Sequence, residues 1–449
     1  MKQRVYIKTY GCQMNERTSE GLVALLQDRG YVVVDDEHCA EVILLNTCSV
    51  RAQAEAKAIG KANLVCQRQS QRKLIGVLGC MAQRLGKALY QKSPSTRLIV
   101  GPNCIEKVPA YLDQLIAHPR ERILDIQMRP MDRKLAAAHD ENKFQPSAFV
   151  SIMQGCNMRC TYCVVPETRG PEQYRPIKDI LQEIQRLSAH GTKEVTLLGQ
   201  IVNHYGIGQM PFRDEKSPFV QLLEEIQGIA GIHRIHFMSP HPAEFRKDLI
   251  DAYSRLSKLC PHVHLPLQSG SDSILKAMKR SYNSAQFLSI VQALRQRVPT
   301  ISISTDIIVG FPGETEEDFQ MTCAMFDDIK FDMAFVFKYS MRPGTVAEQL
   351  GDQISQEIKD ERNQILLEKV KQYSQAYNET MVGQVKEILV EHCAKRGQGQ
   401  FEGRTPEHKK VIFAAEEALI GQLVQVKIER CATSTLFGKI VEISSHRQA

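Results

Sequence analysis

Three cysteines stand in the run Gly155-Cys156-Asn157-Met158-Arg159-Cys160-Thr161-Tyr162-Cys163. The spacing Cys-x3-Cys-x2-Cys puts three thiolates on one tight loop. A cubane iron–sulfur cluster takes four ligands, one on each iron, so three from the protein leave one iron free for a small molecule. A structural zinc site wants a fourth Cys or His close by, and none follows Cys163 within reach of this loop. An open cluster that coordinates a small molecule and passes it an electron points to radical chemistry with S-adenosylmethionine. Tyr162, between the last two cysteines, offers an aromatic wall and backbone polar groups beside such a cluster.

A second set is dispersed. Cys12, Cys48 and Cys80 each come just after a predicted strand, Val5–Tyr10, Val42–Asn46 and Leu74–Leu78. Ligand sites in open parallel sheets form at the C-terminal edge of the strands, so the three thiols can converge. Cys104, after Leu98–Val100, occupies a similar loop and competes for a place. Read without the central motif, Cys12, Cys48 and Cys80 are more readily ordinary buried loop cysteines.

Other segments offer places for a cofactor. Leu197-Leu198-Gly199-Gln200 ends a strand in a glycine, which lets backbone approach a ligand closely. In Ile307-Ile308-Val309-Gly310-Phe311-Pro312-Gly313-Glu314-Thr315, Gly310 and Gly313 serve turning and Glu314 can accept from hydroxyls. A plain strand-ending turn accounts equally well for either. His264 ends another strand, where a core histidine is the commoner case. Arg169 and Arg175 suit a ligand carboxylate or RNA phosphate, though solvated surface arginines are more frequent.

These residues need elements to hold them. Residues 1–125 alternate strands, including Tyr31–Val34 and Leu98–Val100, with helical patterns over Glu16–Arg29 and Arg51–Arg68; the expected fold is α/β, an open parallel sheet domain. Residues 126–146 are polar and linker-like. In 147–375, strands Ala148–Met153, Glu194–Leu198, Arg234–Met238, His262–Leu265, Ser302–Val309 and Met333–Tyr339 alternate with helices. Six such units make a partial (β/α)6 TIM-like barrel with its reactive loops at the C-terminal strand ends. In 378–445 the period changes: Val385–Val390, Lys410–Phe413, Val424 to Ile428 and Leu436 to Ile440 read as a small antiparallel β-barrel, a frequent oligonucleotide reader. Lys386, Arg404, Lys409, Lys410, Lys427 and Arg430, with Phe401, Phe413 and Phe437, suit RNA backbone and bases; charged outer strand faces explain them as well.

The chain of 449 residues has a formal charge of +6, 43% hydrophobic and 24% charged residues, a globular composition whose mild basic excess is compatible with nucleic acid. No apolar run reaches the roughly 18 residues of a membrane span, and the chain enters its first strand without a signal-peptide pattern. A cytoplasmic location without membrane is expected. Thirteen cysteines there favour metal ligation or catalysis at some positions over disulfides.

Over nearly its whole length the chain resembles the radical S-adenosylmethionine methylthiotransferase family. The resemblance rests on the cysteine loop, on Thr9-Tyr10-Gly11-Cys12-Gln13-Met14-Asn15, Asn46-Thr47-Cys48 and Gly79-Cys80-Met81-Ala82-Gln83, and on the domain order, which ends in an RNA-binding TRAM barrel. It implies two [4Fe-4S] clusters, one on Cys156, Cys160 and Cys163 and an auxiliary one on Cys12, Cys48 and Cys80, leaving Cys104 out. Tyr162, Gly199, Gln200, Gly310, Gly313 and Glu314 then face S-adenosylmethionine, and no catalytic residue beyond the cluster ligands is expected.

The branch acting on isopentenylated adenosine in tRNA matches best, through Cys160-Thr161-Tyr162-Cys163-Val164-Val165-Pro166, Thr168-Arg169-Gly170, Leu198-Gly199-Gln200, Val202-Asn203 and Tyr339 with Arg342-Pro343-Gly344-Thr345. Glu167, Ile201 and Tyr174 depart from its pattern. The resemblance implies methylthiolation of N(6)-(dimethylallyl)adenosine 37 at carbon 2, in tRNAs reading codons that begin with uridine, with two S-adenosylmethionines per turnover. A 5′-deoxyadenosyl radical activates the C–H and the auxiliary cluster supplies sulfur. Implied partners are the tRNA anticodon stem-loop and an electron donor such as flavodoxin or ferredoxin, with the enzyme a monomer. Related branches act on threonylcarbamoyladenosine in tRNA or on a ribosomal-protein aspartate.

Overall fold

The computed structural model describes residues 3–443 except 50, 51, 69–72, 141, 396 and 398. Arg51, the expected start of the second helix, lies outside the described residues.

The first domain is a six-stranded all-parallel sheet in the order Val32–Val33, Arg4–Thr9, Val42–Thr47, Leu74–Gly79, Thr96–Val100, Ile123–Asp125. Its central strands Val42–Thr47 and Leu74–Gly79 are buried at every residue, as expected where helices cover both faces. Ile123–Asp125 adds an edge strand that sequence patterning misses, since three residues carry too little alternation to register. The following segment holds a short helix, Arg133–Ala137, capped by the Asp132 carboxylate, which accepts from Leu135 N–H at 2.7 Å.

The second domain has six parallel strands in two hydrogen-bonded halves. Arg234–Phe237, Glu194–Leu198 and Ser147–Ser151 form one; His262–His264, Ser302–Val309 and Met333–Lys338 form the other. An isolated parallel bridge between Ile235 and Leu259 joins them. Among the described residues, Ser147–Ser151 and Met333–Lys338 each pair on one side only, so the partial barrel has an open seam between its first and last strands.

The third domain is a closed five-stranded barrel of Val385–Cys393, Gln400–Arg404, Lys410–Ala414, Thr435–Ile443 and Leu423–Ala432. Most pairings are antiparallel, but Lys410–Ala414 runs parallel to Thr435–Ile443. Phe401 and Phe413 are buried inside it, which corrects the expectation that they are stacking platforms for RNA. Among the described residues, Phe437 alone of the three keeps a cation over its ring, Arg430 at 3.6 Å.

Two junctions lock the domains. At one, Arg17, 2% exposed, donates to the carbonyls of Ala136 (2.8 Å) and Ala138 (2.7 Å). His139 there bridges Glu20 and Glu183, each at 2.7 Å. At the other, Arg234 donates to the Arg404 and Glu387 carbonyls at 2.7 and 2.8 Å, the His262 and His408 rings stack at 5.0 Å, and Lys409 pairs with Asp332 at 2.8 Å. Arg234, His262 and Asp332 all lie at strand starts, so the small barrel sits against the N-terminal ends of the core strands. Among the described residues, no helix is long and apolar enough to cross a membrane.

Candidate functional site

The register of the first sheet explains how its three dispersed cysteines meet. Thr9 pairs with Asn46 and Thr47 with Gly79, so Cys12, Cys48 and Cys80 leave the sheet in one row. Buried polar side chains brace that row. Asn46 Nδ2 donates to the Asn15 carbonyl at 2.9 Å, and Thr47 Oγ1 donates to the Leu78 carbonyl at 2.6 Å. The first loop must be glycine at position 11: with φ at 119°, an added Cβ would stand 2.2 Å from Cys48 Cβ.

A guanidinium from the second domain reaches this row. Arg169 ends the short helix Val165–Arg169 that follows the Cys156–Cys163 loop. It is 4% exposed, and its Nη2 donates to Asn15 Oδ1 at 2.9 Å. Burial opposes its charge, but the sulfurs of Cys80, Cys12 and Cys48 outweigh that and hold it protonated beyond the usual arginine range. In return, a hydrogen bond with Cys48, and then the Arg169 charge, bring the Cys12 thiol down to about 5 against the effect of burial. Cys104 stands apart. Its thiol donates to the Gln127 carbonyl at 3.2 Å, and burial, with Asp125 nearby, pushes it up to about 12.

Cys156, Cys160 and Cys163 lie beyond the C-terminal end of Ser147–Ser151. Burial first, and then the neighbouring Cys160 sulfur, push Cys156 up to about 11 and Cys163 up to about 12. Two partly buried thiols held up in this way, at Cys156 and Cys163, are what a polynuclear iron centre relieves by binding thiolate. Arg280 Nη1 donates to Cys160 Sγ at 3.4 Å, and Val165 N–H to Cys163 Sγ at 3.5 Å. No three His, Cys, Asp or Glu side chains among the described residues gather round one ion-sized point. A cubane spreads its thiolates over three irons, a wider spacing than one tetrahedral ion sets.

The other expected cofactor contacts share this C-terminal face. Gln200 Oε1 accepts from Gly155 N–H at 2.5 Å, bracing the cysteine loop. Gly199 lets Met153 pack, because a Cβ there would meet Met153 Cγ at 2.4 Å. The Glu314 carboxylate accepts from Gly310 N–H at 2.6 Å and pairs with buried Arg362 at 2.7 Å. Gly313 N–H donates to the Asp352 carbonyl at 2.8 Å. Tyr162 stands edge-on to Phe311, ring centroids 6.4 Å apart.

His264 is a core histidine, 5% exposed, with Nδ1 3.0 Å from Ser304 Oγ and Nε2 3.3 Å from Asp306. Arg175 is fully buried, pairs with Glu183 at 2.6 Å and donates to the Ser151 carbonyl at 2.7 Å; the reading of it as a ligand, RNA or surface residue is corrected. Arg280 carries no motif, and sequence reasoning misses it. It meets Cys160 only because the chain after helix Asp272–Ala277 turns at Lys279, whose φ is 54°.

Comparison with known proteins agrees with this geometry. Family models match residues 150–326 as the Radical SAM superfamily, 4–101 as the uncharacterized protein family UPF0004 and 379–441 as a TRAM domain. A tRNA-2-methylthio-N(6)-dimethylallyladenosine synthase of Opitutus terrae is 47% identical over 98% of this chain and 97% of that relative. The chain belongs to the tRNA-2-methylthio-N(6)-dimethylallyladenosine synthase family. The synthase of Methylacidiphilum infernorum is 46% identical over 97% of this chain and 94% of its own. Among solved structures, a radical S-adenosylmethionine methyltransferase of Kitasatospora setae shares the fold, with a TM-score of 0.58 over 77% of this synthase-family chain and 75% of that one, at 15% identity. Membership of the radical S-adenosylmethionine superfamily brings S-adenosylmethionine and a [4Fe-4S] cluster with it.

Proposed function

We propose that this enzyme places a methylthio group on carbon 2 of N(6)-(dimethylallyl)adenosine 37 in tRNAs reading codons that begin with uridine. The relatives carry the synthase name over nearly full length. The observation that carries the mechanism is Arg169, which follows one cysteine loop and reaches the other cysteine row across a domain boundary.

In this reading Cys156, Cys160 and Cys163 hold the radical-generating [4Fe-4S] cluster, and Cys12, Cys48 and Cys80 hold an auxiliary [4Fe-4S] cluster. When bound, these groups with two S-adenosylmethionines per turnover supply the radical, the sulfur and the methyl group. The chain's own residues do the holding. Gln200 fixes the Gly155 amide at the head of the cysteine loop. Tyr162, Gly199, Gly310, Gly313 and Glu314 shape the cofactor's surroundings, Glu314 by holding the Gly310 turn. Arg280 and Arg169 keep positive charge beside the two sets of sulfurs.

The TRAM barrel, residues 378–445, grips the anticodon stem-loop; Lys427 and Arg430 remain on its exposed surface for phosphate. The domains divide at 1–125, 126–146 and 147–375, the enzyme is a cytoplasmic monomer, and flavodoxin or ferredoxin supplies electrons. Mass spectrometry of tRNA nucleosides from a deletion strain tests the activity. The 2-methylthio-isopentenyl nucleoside should vanish and its unmethylthiolated precursor should accumulate; an unchanged profile refutes the assignment.

A further inference from the structure

Strand Met333–Lys338 carries apolar side chains on both faces. Ala334 and Val336 pack outward into the core shared with Leu366 and Val370 of helix Gln356–Glu379. Met333, Phe335 and Phe337 alternate onto the inner face. There Phe335 stays 39% exposed and Met333 43%. The Phe335 and Phe337 rings lie nearly parallel, 16° apart in plane with centroids at 6.5 Å, and Phe335 stands edge-on to His264 at 5.9 Å.

This aromatic track leads to the cysteine loop. Phe337 is the register partner of Ile308, and Ile308 packs in the cluster that includes Tyr162. At its outer end, Asp332 meets Lys409 of the small barrel. The strand is also one wall of the open seam. The first domain covers the C-terminal end of the core through the Arg169–Asn15 contact, and the small barrel covers the N-terminal end. Met333 and Phe335 stay exposed on the strand beside that seam, and an apolar surface left exposed there marks a place where something apolar is to be bound.

We propose that Phe335 and Phe337 receive the dimethylallyl group and adenine face of the target nucleotide, and that they set the enzyme's choice of base. This rests on the reading given under Proposed function. The substituent is a branched, uncharged five-carbon chain, which buries well against aromatic rings. Bases stack on aromatic side chains with a worth of about 1–3 kcal/mol each. A threonylcarbamoyl group at the same nitrogen carries a carboxylate and would be brought against Asp306, whose side chain keeps 28% exposure beside His264. Like charges in a partly desolvated site repel.

The test uses the full chain with both clusters loaded and two anticodon stem-loop RNAs, one dimethylallylated and one unmodified. Binding is read by fluorescence anisotropy, and product by mass spectrometry. Wild type should prefer the dimethylallylated RNA. Phe335→Ala and Phe337→Ala should each lose about tenfold of that preference, over and above the loss of adenine stacking that both RNAs share; Phe335→Leu should recover part of it. An unchanged preference in both alanine variants overturns the inference, and so does an equal loss for both RNAs, since discrimination would then lie elsewhere. Wild-type methylthiolation in the same samples keeps the functional reading standing in either case. No methylthio product from loaded wild type sinks that reading itself.

Discussion

Arg169 and Asn15 meet at 2.9 Å across the boundary between the first two domains, joining the loop after one cysteine row to the turn that carries Cys12. Asn15 is itself 1% exposed, and its backbone N–H donates to the Cys12 carbonyl at 2.9 Å. Arg169→Met removes the donor and the shared cation together. Iron per anaerobically purified chain should fall from about eight towards about four, the complement of a single cubane. Formation of 5′-deoxyadenosine should persist. Full iron with normal methylthiolation would show the contact to be dispensable.

Cys104 makes the opposite prediction. Its buried thiol is held neutral and bonded to the Gln127 carbonyl. Cys104→Ala should leave iron content and turnover unchanged and cost about 1 kcal/mol in urea unfolding, the worth of one modest hydrogen bond. Loss of iron in that variant would admit Cys104 to the auxiliary site.

The Glu314–Arg362 pair is buried at both ends, 3% and 5% exposed. Glu314→Gln strands the guanidinium and loosens the acceptor that holds Gly310. Breaking a buried pair by removing one partner costs about 3–5 kcal/mol. Urea unfolding should shift accordingly, and the affinity for S-adenosylmethionine, measured by calorimetry, should weaken with it. Affinity at the wild-type value would separate this turn from the cofactor.

His139 gives a pH dependence. Burial alone would lower its pKa, but the hydrogen bonds its ring donates to Glu183 and Glu20 outweigh burial and raise it above the ordinary 6.5. That contribution to stability is complete below pH 6.5 and is lost as pH rises through the folded value. Burial opposes ionisation of Glu20 and Glu183, yet their partners, His139 first, hold both below the ordinary 4.5, so their contribution is present above 4.5 and lost as pH falls. The junction is therefore strongest between these limits. Raising pH from 6 to about 9 should lower the wild-type unfolding midpoint more than that of His139→Gln. Parallel curves would place the dependence elsewhere.

Much of the site is legible in sequence because the chemistry is local. Cys156, Cys160 and Cys163 announce themselves through spacing, and the dispersed triad follows from the rule that parallel strands present their ends together. The charges around them are not legible. Arg169 and Arg175 read alike, yet one meets the Cys12 turn and the other is an internal strut for Glu183, a difference made by tertiary packing. Phe401 and Phe413 look like platforms until barrel closure turns them inward. Phe335 and Phe337 do leave a trace, since Met333, Phe335 and Phe337 interleave with Ala334 and Val336. A strand apolar on both faces ordinarily signals full burial, and only the open seam reveals that one face is not.

The seam also sets a reach. From Met333 to Phe337 is four residues of strand, about 13 Å at ~3.3 Å per residue. By the proposed route, a nucleotide entering along the seam would be paid out over that depth while its neighbours stay outside. A stacked duplex has no such slack, whereas an unpaired loop does. On the proposed route the core would work as a depth gauge: tether length, before any contact with the base, would decide which nucleotides of a folded RNA arrive.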